Sequence, residues 1–173
     1  MIIDDKAERS RKNYSGWRNL NGISAALIPR PETEELTELV INQAKKLEGA
    51  VVADLCSGSG CIGISVAKAV PSATVYCIEK SEEALFYLLK NAENISNVKV
   101  INADIHYPSD IGDVDIIVSN PPYIKSSTIS SLQNEVQMEP SMALDGGEDG
   151  LDFYHVIAEK WKSKLKEIGM LFL

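Results

Sequence analysis

Asp54-Leu55-Cys56-Ser57-Gly58-Ser59-Gly60-Cys61-Ile62-Gly63 is the stretch on which the fold turns. It continues Ala50-Val51-Val52-Ala53-Asp54-Leu55, a short apolar run behind Gly49 that reads as a buried strand. The glycine segment passes directly into Cys61 to Val70, which reads as a helix stopped by Pro71. Strand, glycine loop and helix in immediate succession begin a parallel α/β unit. Glycines here let backbone come close to a ligand. The free N–H groups of the helix N-terminus suit its anionic part, whether a pyrophosphate or the carboxylate of a methionine moiety. Gly58-x-Gly60-x-x-Gly63 satisfies the dinucleotide fingerprint, and Glu79 lies 19 residues beyond Gly60, where a carboxylate can accept the hydroxyls of an adenosine ribose. On this motif alone NAD and S-adenosylmethionine fit equally well, and a ligand-free tight turn is the plainer alternative.

Working outward, the pattern keeps alternating. Thr74 to Glu79 predicts a second strand, and Ser81 followed by Glu82 and Glu83 offers an N-cap and favourable charge for a helix through Asn91. Val98 to Asn102 and Val114 to Ser119 predict the third and fourth strands. Leu151 to Lys166 reads as one long amphipathic helix, with Phe153, Ile157, Trp161 and Leu165 at spacings of four and Gly169 after it. Met170 to Leu173 begins a fifth strand. Upstream, Thr33 to Leu47 predicts a helix entered through Pro29-Arg30-Pro31. The fold class is therefore α/β, a Rossmann-like doubly wound parallel sheet. Residues 1–20 form a polar tail with Tyr14 and Trp17 as its large aromatic anchors, and residues 21–173 form the domain. Residues 120–150 are the one long stretch without a clear strand, and loops of that length are usually functional.

Composition bounds what such a domain does. At 173 residues with 45% apolar side chains, there is room for one core and not for two independent domains. Seventeen Lys and Arg against twenty-five Asp and Glu leave a net charge of −8, which disfavours a phosphate backbone as partner. The start lacks the basic-then-apolar order of a signal peptide, and no apolar run approaches the ~20 residues that span a bilayer, so a cytoplasmic protein without membrane contact is expected. Cys56, Cys61 and Cys77 make no CxxC pair and are odd in number, which argues against a disulfide framework or zinc knuckle; they are expected to pack as small apolar residues. No metal is expected: His106 sits in a loop and His155 on the last helix, without partners at ligand spacing. Asp113 and Asp115 are expected to be solvated, Lys160, Lys162, Lys164 and Lys166 to form the wet face of the last helix, and Trp161 to be core.

The second motif separates the cofactors. Asn120-Pro121-Pro122-Tyr123 follows the fourth strand directly. In a doubly wound sheet ligands sit outside the carboxyl ends of the strands, so this tetrapeptide and the glycine loop should face one crevice. Two prolines stiffen the backbone, so the Asn120 amide oxygen and the Pro121 carbonyl can stand as paired acceptors for the two protons of a planar –NH2 group. Tyr123 can cover its flat face. An NAD-linked oxidoreductase leaves this tetrapeptide unexplained.

Together with the acidic strand and glycine loop, Asn120 to Tyr123 resembles the class I S-adenosylmethionine-dependent methyltransferases that modify exocyclic or amide nitrogens. Two further stretches narrow the resemblance: Leu27-Ile28-Pro29-Arg30-Pro31-Glu32-Thr33-Glu34-Glu35, and Glu139-Pro140-x-x-Ala143-Leu144-x-Gly146-Gly147-x-Asp149-Gly150-Leu151-x-x-Tyr154. Both are similar to the HemK/PrmC family, which methylates the glutamine side-chain amide in the Gly-Gly-Gln motif of peptide chain release factors. The resemblance implies S-adenosyl-L-methionine as cofactor and a release factor as partner. By it, Asp54, Cys56, Ser57, Gly58, Ser59 and Gly60 would hold the methionine and ribose part of the cofactor. Glu79 would take the ribose hydroxyls, and Asp104 with Ile105 the adenine edge. Asn120, Pro121, Pro122 and Tyr123 would hold the substrate amide, Asn120 also bordering the cofactor. Pro31, Glu32 and Thr33 would wall the substrate pocket.

The chain departs from the family pattern in two respects. Cys56 stands where many relatives carry the first glycine of the loop, a mild change provided the position needs no positive φ. Family members also carry a helical N-terminal domain and continue past the fifth strand into an antiparallel pair, so this chain is expected to be a shortened version with its fifth strand at an open edge. Self-association through Met170 to Leu173 is then expected. Two other functions share these motifs: a nucleic-acid amino-group methyltransferase acting on adenine or guanine, and a cofactor-binding module without turnover.

Overall fold

Burial on both faces explains why the three inner strands are apolar and why helices must flank them. The computed structural model describes residues 31–137 and 139–173. The expected tail over 1–20, with Tyr14 and Trp17, and the Leu27 to Arg30 part of the upstream motif lie outside the described residues.

The chain runs α1 (Pro31–Ala44), β1 (Val51–Leu55), α2 (Cys61–Ala69), β2 (Thr74–Glu79), α3 (Glu82–Ala92), β3 (Val98–Asn102) and β4 (Val114–Ser119). A 3₁₀ turn (Ser126–Ser131) and three short helices, α4 (Asn134–Gln137), α5 (Ser141–Leu144) and α6 (Asp152–Val156), precede β5 (Leu165–Phe172). The strands form one five-stranded sheet in the order β3-β2-β1-β4-β5, and every pairing is parallel. The expected doubly wound sheet is therefore present, and its order reverses between β1 and β4. Alternate residues of β1 serve opposite faces. Val52 joins a core with Val40 and Ala44 of α1, Ile64 of α2 and Leu88 of α3, while Ala53 and Leu55 join a second core with Ile78, Ile117, Ile157 and Trp161.

Local chemistry accounts for the helix starts. The Ser81 hydroxyl accepts the Ala84 N–H at the head of α3, with Glu82 and Glu83 in the first turn, as the sequence predicts. In α1, Val40, Ile41 and Ala44 are buried as an apolar stripe at helical spacing, and Thr37 extends the buried face by one turn.

The last helix differs from expectation. Only Asp152–Val156 is α-helical; Ile157–Trp161 widens to a π-turn, Lys162–Lys164 tightens to 3₁₀, and β5 has begun by Leu165. A strict period of four drifts by about 40° per repeat on a 3.6-residue helix. The wider turn absorbs that drift and keeps Ile157 and Trp161 both in the core. The lysines stay on the wet side as expected, with Lys160, Lys162 and Lys166 exposed, but three of the four also find partners. Lys160 donates to the His106 carbonyl (2.8 Å), Lys164 lies 4.0 Å from Asp110, and Lys166, already on β5, pairs with Asp115 at 2.7 Å. Asp115 is accordingly not solvated: its other oxygen accepts the Val51 N–H at 2.8 Å and ties β4 to the start of β1. Among the described residues no helix is long and apolar enough to cross a membrane.

Candidate active site

The reversal between β1 and β4 opens a crevice at their carboxyl ends, where the sequence places both motifs. Leu55 and Ser119 are register partners, and the Ser119 hydroxyl donates to the Leu55 carbonyl at 2.6 Å. The glycine loop and Asn120 thus leave neighbouring strands at the same level. One cleft runs from here across the ends of β2 and β3. Cys56, Gly58, Glu79, Asp104, Ile105, Asn120 and Pro122 line it.

The rest of the predicted loop supports the cleft from behind. Asp54 is 1% exposed, and one carboxylate oxygen accepts the Gly63 N–H at 2.9 Å while Oδ1 has no partner. A Cβ on Gly63 would lie 2.9 Å from the Asp54 oxygen and overlap Cys77 Sγ, so only glycine lets α2 sit this close to the sheet. Burial pushes the Asp54 carboxyl from its ordinary 3.8 up to about 7, against the hydrogen bond from Gly63 and helped by the Glu79 charge. Ser57 donates to the Asp54 carbonyl, Ser59 gives its carbonyl to Asn91, and Gly60 packs on Leu88 and Ile64. Asp54, Ser57, Ser59 and Gly60 therefore shape the loop and do not line the cleft.

Cys56 corrects the condition placed on it. Its φ is +57°, the left-handed region that favours glycine, and it is the one non-glycine residue with positive φ among those described. Burial, then the Glu79 and Asp54 charges, push its thiol well above the usual range, so the group is a neutral wall of the cleft. Cys61 and Cys77 are buried as expected.

Glu79 is held by three backbone donors. Its Oε1 accepts Lys80 N–H (2.9 Å) and Ser81 N–H (2.7 Å), and Oε2 accepts Gly58 N–H (2.7 Å). The carboxylate is thereby fixed across the cleft with acceptor capacity left on Oε2, as a ribose hydroxyl requires. At the far end, Asp104 accepts Lys80 Nζ (2.8 Å), His106 N–H (3.0 Å) and His106 Nδ1 (2.7 Å). Burial acts to raise its pKa, but Lys80 and the two His106 contacts outweigh it and hold the carboxyl well below the usual range.

On the substrate side, Asn120 Nδ2 donates to Thr33 Oγ1 at 3.2 Å, across 87 residues of chain. Thr33 is buried, and its carbonyl receives the Thr37 hydroxyl at 2.6 Å, so the first turns of α1 form a fixed mount. Occupying Nδ2 leaves Oδ1 as the free amide atom, an acceptor. Pro31 opens α1; Glu32 is exposed and Tyr123 is 46% exposed, and neither they nor the buried Pro121 line the cleft.

Residues 139–151 brace this tetrapeptide. Ile124 donates to the Leu144 carbonyl (2.9 Å), Gly146 to the Ile124 carbonyl (2.8 Å), and Ile124 bridges Asp145. A Cβ on Gly146 would stand 2.7 Å from Tyr123 Cα and 2.9 Å from the Pro122 and Gly150 carbonyl oxygens. The long stretch expected to be functional is thus a clamp on the loop after β4. The sequence reading misses Lys80, His106, Pro140, Met142, Ala143 and Phe153, all of which line the cleft. Only His106 carries a local signal, two residues after Asp104, where a carboxylate reaches the backbone N–H of its second neighbour.

A parallel sheet in the order β3-β2-β1-β4-β5, with a glycine loop, an acidic residue ending β2 and an Asn-Pro-Pro-Tyr turn at the switch point, places the chain in the class of Rossmann-like doubly wound domains. The chain matches the model of the methyltransferase small domain over residues 30–148, and it belongs to that family. It is 43% identical over 152 residues to a release factor glutamine methyltransferase of Thermodesulfovibrio yellowstonii, covering 85% of this chain and 54% of that one. A protein of the same name from Gloeobacter violaceus is 39% identical, covering 91% and 57%. The chain spans about half the length of the curated relatives it matches. Among solved structures, the hMettl16 catalytic domain in complex with a 3′UTR hairpin shares the fold at TM-score 0.66 and 19% identity, covering 90% of this chain and 61% of that one. Coclaurine N-methyltransferase bound to N-methylheliamine and SAH does so at TM-score 0.54 and 17% identity, covering 98% and 44%.

Proposed function

We propose that this chain carries the cofactor- and amide-binding core of a release factor glutamine methyltransferase, with S-adenosyl-L-methionine as methyl donor and the glutamine of a Gly-Gly-Gln motif as acceptor. The observation that carries the reading is the Asn120 amide, tied through Nδ2 to Thr33 so that Oδ1 is left as acceptor in the cleft that Glu79 borders. The two curated relatives at 39–43% identity support the protein substrate over a nucleobase, and so does the net charge of −8.

The residues present fit the cofactor. Glu79 retains acceptor capacity for ribose, Gly58 brings backbone to the cleft without a side chain, and Ile78, Ala84, Ile105 and Phe153 give apolar walls for a base. When bound, the cofactor supplies an electrophilic methyl group on a sulfonium. The chain's own part is positioning and electrostatics. An amide nitrogen is a poor nucleophile because its lone pair is delocalised into the carbonyl. Asn120 Oδ1, accepting one of its protons, orients the nitrogen and stabilises positive charge that develops on it. Pro121 and Pro122 hold the acceptor still, and Gly146 braces the loop behind them. No strong general base is required.

Calorimetric titration with S-adenosylhomocysteine and, in parallel, with NAD tests the cofactor reading. Micromolar binding of the first and none of the second is expected; binding of NAD alone, or of neither, contradicts it.

A further inference from the structure

The segment from Pro140 to Gly147 touches both halves of the site. Pro140, Met142 and Ala143 line the cleft that Glu79 borders. The residues directly after them hold the turn that carries Asn120. Ile124 N–H donates to the Leu144 carbonyl (2.9 Å), Gly146 N–H to the Ile124 carbonyl (2.8 Å), and Ser126 N–H to the Gly147 carbonyl (2.9 Å). Asp145 locks the same junction, its Oδ1 accepting the Ser126 hydroxyl at 2.6 Å and the Gly147 N–H at 3.0 Å. A second tie runs from Phe153, also in the cleft wall, whose neighbour Asp152 donates its N–H to the Gly146 carbonyl at 3.1 Å.

The two ends of this segment differ in stiffness. At the junction the backbones are already at closest approach, since a Cβ on Gly146 would meet Tyr123 Cα. At the cleft, α5 is one turn of four residues, and Pro140 at its start has no side-chain oxygen to cap it. Such a turn has little stability of its own and takes its position from what it packs on. Leu144, 2% exposed, anchors its end, whereas Met142 is 56% exposed and leaves an apolar side chain in water at the cleft. A ligand filling the cleft covers that side chain, and this contact is gained only when α5 lies against the occupied wall.

We propose that Met142 is a positioning residue through which the occupied cofactor cleft fixes the loop after β4, so that the acceptor amide meets a fully formed site once the cofactor is bound. The inference rests on the cofactor reading above. By linkage, the acceptor tightens cofactor binding by the same factor as the cofactor tightens the acceptor.

The test is amide hydrogen exchange of the chain by NMR, with and without saturating S-adenosylhomocysteine. Ile124, Ser126 and Gly146 supply the junction's N–H groups and do not line the cleft, so a ligand does not shield them directly. Val98 N–H, bonded to the Ile95 carbonyl at 3.1 Å where β3 begins, reports the stabilisation that any bound ligand confers on the whole fold. In the wild-type chain the three junction amides should slow at least about fivefold more than Val98, the lower end of ordinary coupling between sites. Met142→Ala, read at saturation, should lose that excess, and Met142→Leu, which keeps an apolar contact, should retain it. Equal slowing at Val98 and the junction overturns the proposal. So does an excess that persists in Met142→Ala, or one lost as fully in Met142→Leu; each leaves the cofactor reading intact. Failure of the wild-type chain to bind S-adenosylhomocysteine overturns both.

Discussion

Replacing Asp54 by asparagine separates the charge of this buried carboxylate from its hydrogen bond. The wild-type group is 1% exposed, has one unpartnered oxygen, and ionises at about 7 in place of the ordinary 3.8. Between those values the folded chain holds a proton that the unfolded chain has released. Wild-type stability therefore falls as pH rises through the window and is lowest above its upper end. At about 1.4 kcal/mol per pH unit the loss is on the order of 4 kcal/mol. The substituted amide keeps an oxygen for the Gly63 N–H but cannot ionise, and its NH2 takes the place of the unpartnered oxygen at a cost of about 1–3 kcal/mol at every pH. Urea unfolding followed by far-UV circular dichroism from pH 4 to 8 measures both chains. The difference between them should swing in favour of Asp54→Asn by several kcal/mol across the range, with the variant the less stable chain at pH 4. Lys80–Asp104 and Lys166–Asp115 act oppositely, since depressed carboxylates contribute stability above the unfolded value and lose it as pH falls; both are common to the two chains and cancel in the difference. Parallel profiles would refute the placement of a charge-sensitive carboxylate beneath the loop.

Two further substitutions probe the walls of the cleft. Gly146→Ala brings a Cβ to 2.7 Å from Tyr123 Cα, where ordinary contact begins at 3.4 Å, so the loop must yield by about 0.7 Å. Misplacement on that scale should lower methyl transfer at least about tenfold with S-adenosylhomocysteine affinity little changed, read by single-turnover kinetics beside calorimetry. Cys56→Gly removes a side chain from a residue at φ +57° and should raise the unfolding free energy by about 1 kcal/mol in the same urea assay.

What can be read from the sequence is what is encoded locally. Strands β2, β3 and β4 fall on the residues predicted, because β-branched runs between turn residues have no competing periodicity. The glycine loop and Asn120 are legible for a similar reason: each sits directly after a strand whose end must face the crevice. The last helix misleads because a spacing of four suits an α-helix only approximately, and the π-turn that reconciles it with the core is set by packing around Trp161. The positive φ at Cys56 is invisible, since a cysteine gives no sign of a left-handed turn. Thr33 under Asn120 and Gly146 under Tyr123 are facts of tertiary contact. Residue types raise the candidates, and folding decides which of them meet.

In the proposed reaction Asn120 matters chiefly as the acceptor that holds the substrate amide in place for methyl transfer. The most direct measurement is the rate of labelled methyl transfer from S-adenosylmethionine to a release factor by the wild-type chain and by Asn120→Ala, alongside S-adenosylhomocysteine binding to each. Transfer to the Gly-Gly-Gln glutamine that drops at least about a hundredfold, with binding nearly unchanged, is the predicted result. No transfer by the wild-type chain, or equal losses in transfer and binding, would contradict it.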